Sequence, residues 1–245
     1  MNDLTRGCVA EFIGTFALCF FGCGAIILTQ DSIGAGSLVT VAAGFGLALA
    51  VFVTACMYVS GAQFNPAVSI ALTVIGKQPV PKTAVFVFVQ LFAAACACGS
   101  LVLFIGRDVA DHEAVRVGAS LGSLSNPENV VGLFGLEFLQ TFALMFVVLG
   151  AVVDARAHKM GGICVGLVVA ACIVAFGPLT GSSMNPARSF GPAIYGHWDM
   201  HWVYWAAPIL GAVAAAVVYR VVWDANVETE TPAQPLHEGD SMRKA

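Results

Sequence analysis

The tripeptide Asn-Pro-Ala occurs twice, at Asn65–Ala67 and Asn185–Ala187. Each copy follows an apolar stretch long enough to cross a bilayer and opens one too short to do so. Asn favours the helix N-cap and Pro the first helical position, so each tripeptide predicts a helix start. The stretches that follow, Pro66–Ile75 and Pro186–Tyr195, make about 15 Å of helix, half the hydrocarbon thickness. Gly76-Lys77 and Gly196-His197 then return the chain to water. Irregular backbone at membrane depth persists only where protein buries it or water lines it. The two half-helices must therefore enter from opposite faces and meet inside a protein shell.

Composition supports a membrane setting. Only 11% of the residues are charged, against about a quarter in soluble domains. The charges are also segregated, leaving six apolar runs near the length a helix needs to span: Cys8–Leu28, Leu38–Val59, Ala84–Ile105, Val130–Val153, Ile163–Phe176 and Val203–Val222. The fifth is short and leans on Gly161 and Gly162. The expected fold is an all-α membrane protein with six transmembrane helices and two re-entrant half-helices. With both ends inside, Arg6, Lys77, Lys82, Arg156, Lys159, Arg220, Arg243 and Lys244 fall on the inner side, against Arg107 and Arg116 outside. That bias obeys the positive-inside rule. Both termini are thus expected in the cytoplasm, and the compact length without a targeting segment points to a cell (inner) membrane. The lipid bilayer is the implied surrounding, and nothing in the charge pattern points to nucleic acid.

The chain repeats itself. Glu11–Leu18 resembles Glu137–Leu144, and Ser60–Ala67 resembles Thr180–Ala187. Each half holds three spans and one re-entrant segment. Three is odd, so the second half runs through the membrane upside down, as in inverted 3+3 repeats with a midplane site. Residues 1–225 are read as one domain with halves at about 1–115 and 129–225, and 226–245 as a disordered cytoplasmic tail.

The chemistry at the midplane follows from the half-helices. Their free N–H groups carry roughly half a positive charge each, so two facing ends repel cations. A neutral molecule with a lone pair can still accept hydrogen bonds from Asn65 and Asn185. A water held by its oxygen turns its hydrogens outward both ways, which breaks a proton wire. Arg188 is the one basic residue left at membrane depth, where a charge marks function. No nucleophile–base pair can be assembled, so an enzyme is not expected. The eight cysteines lie in or at the edge of apolar spans with no metal-ligand spacing, and neither metal nor cofactor is expected. Trp198, Trp202, Tyr204 and Trp205 cluster at one end of the last span, as interfacial aromatics do.

Three functions compete on these residues: a passive channel, a proton-coupled secondary transporter using Glu11 or Glu137, and a junction protein with a vestigial pore. At this point the segments SGAQFNPAV and TGSSMNPARSFGPA resemble the two signature loops of the aquaporins, or major intrinsic proteins, over roughly residues 8–224. The resemblance implies a homotetramer of subunits that each conduct water and small neutral solutes. It implies that Glu11 and Glu137 anchor the signature loops and that Gly46 and Gly166 let the second and fifth spans cross closely. It also implies a selectivity filter of Phe45, Ile173, Ser182 and Arg188, counted from the two signature asparagines. Strict water channels of the family carry His where this chain has Ile173, and often Cys where it has Ser182. Glycerol facilitators carry Asp where it has Ser189. The quartet resembles that of archaeal aquaporins, and Ser189, Ala193 and Tyr204-Trp205 match the water-channel subgroup. The expectation is good water flux with lower passage of glycerol or ammonia.

Overall fold

The structure, a computed structural model, describes residues 3–29, 35–157 and 160–223. Every regular element among them is helical: α1 (Asp3–Leu28), α2 (Ala35–Cys56), α3 (Pro66–Val74), α4 (Val80–Ile105), α5 (Arg107–Ala110), α6 (Val130–Val148), α7 (Gly161–Thr180), α8 (Pro186–Ala193) and α9 (Val203–Val222). Short 3-10 turns cover Arg116–Gly118 and Pro127–Asn129, and a π-helical turn, Leu149–Val153, extends α6. Six helices are long and apolar enough to cross a membrane. The expected tail at 226–245, with Arg243 and Lys244, lies outside the described residues, as does Lys159.

Lipid and protein exchange the usual roles of outside and inside. Leu103 and Phe104 are 76% exposed and Val131 is 83% exposed. Meanwhile Glu11, Glu137, Gln90 and Arg188 are buried. Apolar side chains facing hydrocarbon cost nothing, whereas the buried polar groups must find partners or line water.

The two halves interlock. Half-helix α3 packs against α9, the last span of the second half, and half-helix α8 packs against α4, the last span of the first. The α2–α7 pair crosses at the centre. A Cβ on Gly166 would lie 2.2 Å from the Gly46 carbonyl oxygen, and one on Gly46 would lie 2.8 Å from the Gly166 carbonyl oxygen. Only the absence of side chains at both positions lets these backbones touch.

Several boundaries differ from the sequence reading. The fifth span, expected as Ile163–Phe176, runs from Gly161 to Thr180. Its glycines are contact residues, since a Cβ on Gly162 would meet Thr54 Oγ1 at 2.1 Å. Pro178 sits in the last turn, where it costs one helix hydrogen bond and stops nothing. The first and third spans begin earlier, at Asp3 and Val80, because a terminal helical turn can project polar residues into water. The second ends at Cys56 in a turn, and the half-helices end at Val74 and Ala193.

Candidate functional site

Each half-helix starts as its tripeptide dictates. Asn65 has extended backbone, and its Oδ1 accepts from Ala67 N at 2.9 Å. Asn185 does the same toward Ala187 N at 2.9 Å and Arg188 N at 3.3 Å. Capping consumes the amide oxygen and so fixes which way the amide nitrogen points. Asn65 Nδ2 donates to the Met184 carbonyl at 2.8 Å, and Asn185 Nδ2 donates to the Phe64 carbonyl at 2.9 Å. Each asparagine thus braces the opposite loop with one N–H. An amide nitrogen has two N–H groups, and both residues line the same internal chamber.

The loops that precede the half-helices alternate in backbone hand. Ala62, Phe64, Ser182 and Met184 all have positive φ, between 40° and 52°. None is glycine, so the conformation is imposed by surroundings. The carboxylates of α1 and α6 supply much of that constraint. Glu11 accepts from Gln63 N, Phe64 N, Ser60 Oγ and Gln90 Nε2 at 2.7 to 2.9 Å. Glu137 accepts from Ser183 N at 2.9 Å and Met184 N at 2.8 Å. The two carboxylates therefore sit at equivalent places and face backbone donors of the signature loops.

Arg188 is 2% exposed, and its Nη1 donates to the Gly118 carbonyl at 2.8 Å. Its guanidinium carbon lies 4.8 Å from the Phe45 ring centroid, in cation–π range. Nε and Nη2 have no partner among the described residues, so a buried cation keeps donors free beside the chamber. Ser182 Oγ donates to the Cys172 carbonyl at 3.1 Å, leaving its oxygen as an acceptor.

Two cavities lie along this axis. A wide outer one, about 750 Å³, is lined by Ile26, Leu38, Val41, Arg116 and Ile173. A narrow inner one, about 30 Å³, is lined by Phe45, Ser182, Arg188, both asparagines and aliphatics such as Leu49, Val53, Val148 and Val169. Ile173 therefore lines the outer cavity, while the other three residues expected beside it line the inner one.

An inverted helical repeat closed by two capped half-helices on one narrow chamber is the architecture expected from the signature loops. The major intrinsic protein family model matches residues 1–219. The chain belongs to the major intrinsic protein family. It is 39% identical over 222 residues to "Aquaporin TIP4-4" of Zea mays, covering 87% of this chain and 85% of that one. Nodulin-26 of Glycine max is 37% identical over 217 residues, covering 87% and 76%. Among solved structures, the aquaglyceroporin from Plasmodium falciparum superposes with a TM-score of 0.80 at 28% identity, covering 93% of this chain and all of that one. The protein is accordingly an integral, multi-pass channel for water and small solutes, and members of this family are passive channels and not enzymes. Nothing in these likenesses favours coupled transport.

The sequence reading did not find the Gly118 carbonyl, the Gln90 amide or the carbonyls of Phe64 and Met184. The last two left a faint signal, as the residues just before each Asn in the repeat. Gly118 left none, because it lies in the loop that joins the halves.

Proposed function

We propose that the family member described here is a water channel that passes water in single file, with lower passage of glycerol or ammonia, and that it excludes protons and ions. The observation that carries this reading is the size and lining of the inner chamber. The chamber is about 30 Å³, above the roughly 10–15 Å³ that admits one water, and its walls are mostly branched aliphatics, with polar side chains at Gln63, Asn65, Asn185 and the filter side. A permeating water bonds to few groups there and moves on. The two asparagine amides, each with its oxygen committed to a cap, present donors at the midplane and hold water by its oxygen. Half-helix dipoles and Arg188 add positive potential that opposes protons and cations.

Phe45, Ile173, Ser182 and Arg188 form the size and polarity gate between the two cavities in this reading. Ile173 cannot donate a hydrogen bond, so water loses one stopping point, worth about 1 kcal/mol. Glu11 and Glu137 act as loop anchors, and Gly46 and Gly166 as the crossing point. The domain is residues 1–225 with its two halves at about 1–115 and 129–225. Orientation is argued from charge: Lys77 and Arg156 border one small cavity, while Arg107 and Arg116 pair with Asp111 and Asp199 on loops at the other end. The basic-rich end is assigned to the cytoplasm of a cell membrane, with both termini there. The homotetramer implied by the resemblance belongs to the same reading.

The test measures water, glycerol and proton flux side by side in proteoliposomes for the parent, Ile173→His and Arg188→Val. Ile173→His is expected to suppress glycerol more than water, and Arg188→Val to admit protons. Unchanged solute-to-water ratios in Ile173→His would remove Ile173 from the gate.

A further inference from the structure

Two walls of the gate rest on consecutive residues of α1 that touch neither cavity. A Cβ built on Gly22 would lie 2.1 Å from a ring carbon of Phe45, so the ring occupies the space a side chain would fill. The next residue, Cys23, is fully buried. A Cβ built on Gly118 would lie 2.6 Å from Cys23 Cβ, and Cys23 Sγ donates to the Gly118 carbonyl at 3.8 Å. That carbonyl is the one holding Arg188 Nη1, while Nε and Nη2 of the same guanidinium have no partner among the described residues.

The backbone at Gly118 is under constraint. Arg116, Val117 and Gly118 have φ of 45°, 54° and 75°. A β-branched residue such as Val117 is an outlier in this region and stays there only when its surroundings over-determine it. Val117 is fully buried, and Arg116 is tied outward to Asp199 at 3.5 Å. The strap Arg116–Gly118 is therefore supported from below by Cys23, while the half-exposed Arg116–Asp199 pair adds little. Its carbonyl has one height, set by what lies beneath it.

We propose that the Gly22-Cys23 step of α1 sets the aperture of the gate from behind the pore wall. The size of the residue at 22 sets how far the Phe45 ring stands into the lumen. The size of the residue at 23 sets the height of the Gly118 carbonyl and, through it, the reach of Arg188. Both are positioning residues that determine specificity without touching the permeant. The inference rests on Phe45 and Arg188 being gate residues, as read above.

The geometry predicts effects of opposite sign. A smaller residue at 23 lets the strap sink toward α1 and draws the guanidinium to the wall, so larger solutes gain. A larger residue at 23, or any side chain at 22, drives Arg188 or Phe45 into the lumen, so larger solutes lose first. The experiment measures glycerol and water permeability in the same proteoliposomes for the parent, Cys23→Ala, Cys23→Ser, Cys23→Val, Gly22→Ala and Arg188→Val. The ratio of the two fluxes is independent of how much channel folds and inserts. Cys23→Ala is expected to raise the glycerol-to-water ratio about fivefold, the effect of a disturbance the size of one hydrogen bond at the barrier. Cys23→Val and Gly22→Ala are expected to lower it, and Cys23→Ser, which keeps a donor, to lie between parent and Cys23→Ala. Should Cys23→Val fail to insert, Gly22→Ala supplies the opposite sign. Parent-like ratios in all α1 variants, with a shifted ratio in Arg188→Val, would overturn the inference and leave the gate standing. Shifts of one sign for smaller and larger residues alike would mean general loosening and also overturn it. A parent-like ratio in Arg188→Val as well would remove the gate assignment and the inference with it.

Discussion

Asn65→Asp and Asn185→Asp change the same atom in the two halves, and the structure predicts unequal consequences. In both, the carboxylate keeps one oxygen for the cap, so the half-helix start is retained. What is lost is the donor that braces the opposite loop, at the Met184 carbonyl for position 65 and the Phe64 carbonyl for position 185. A buried carbonyl left unpaired costs about 1–3 kcal/mol. A negative charge at a helix N-terminus returns about 0.3–1 kcal/mol. These two terms leave a net loss of about 0–3 kcal/mol in either variant, and burying a carboxylate beside the opposite carbonyl adds a desolvation cost that is alike at the two positions. The electrostatic outcomes differ. A carboxylate at 185 shares its half-helix with Arg188, whereas α3, Pro66–Val74, carries no cation. Opposite charges attract more strongly at shorter range, and Arg188 lies three residues along the half-helix that position 185 caps, so it masks more of a new charge at 185 than of one at 65. Asn65→Asp is therefore expected to admit cations faster than Asn185→Asp. Both are expected to pass water more slowly than the parent. The assay is cation-driven dye response and stopped-flow shrinkage on the same vesicles, normalised to reconstituted protein. Equal leaks, a larger leak in Asn185→Asp, or parent-like behaviour in both would refute the account of the midplane.

Gly166→Ala forces a Cβ to 2.2 Å from the Gly46 carbonyl oxygen and 2.8 Å from Ala50 Cβ, an overpacking expected to cost about 1–3 kcal/mol. Gly135→Ala has nothing within 4 Å of the new carbon and is expected to hold or raise Tm in detergent, so a Tm loss confined to position 166 is the check. No cysteine lines either cavity, so the parent is expected to resist mercurials and Ser182→Cys to become sensitive; strong inhibition of the parent would place a thiol in the pathway. Arg156 holds the Asp154 carboxyl well below its usual range, with Tyr219 also donating to it. A depressed carboxyl contributes stability that is present above its unfolded pKa and is lost as pH falls through the folded one. The pair is exposed at Arg156, so the contribution is small, and Asp154→Asn is expected to leave neutral Tm nearly unchanged while flattening its decline below about pH 4. A variant as acid-sensitive as the parent would argue against it.

What the sequence by itself determined is what acts over a few residues. Apolar runs, an Asn-Pro cap signal and charge segregation placed six spans and two half-helices. The repeat paired Glu11 with Glu137 and Asn65 with Asn185 because equivalent residues keep equivalent partners. Where the reading strayed, the fifth span was bounded at Ile163–Phe176, although Gly161 and Gly162 are points of helix contact and the helix runs on to Thr180. What only the tertiary structure decided lies between residues far apart in the chain. Asn65 and Met184 are 119 residues apart, Asn185 and Phe64 are 121 apart, and Arg188 and Gly118 are 70 apart. Ile173 facing the outer cavity, Gly22 lying against the Phe45 ring and Cys23 lying beneath Gly118 are facts of the same kind. Helix caps and hydropathy are short-range terms and are complete before the bundle closes. The direction of a carbonyl in a connecting loop is set by whichever helix the closed bundle brings beneath it.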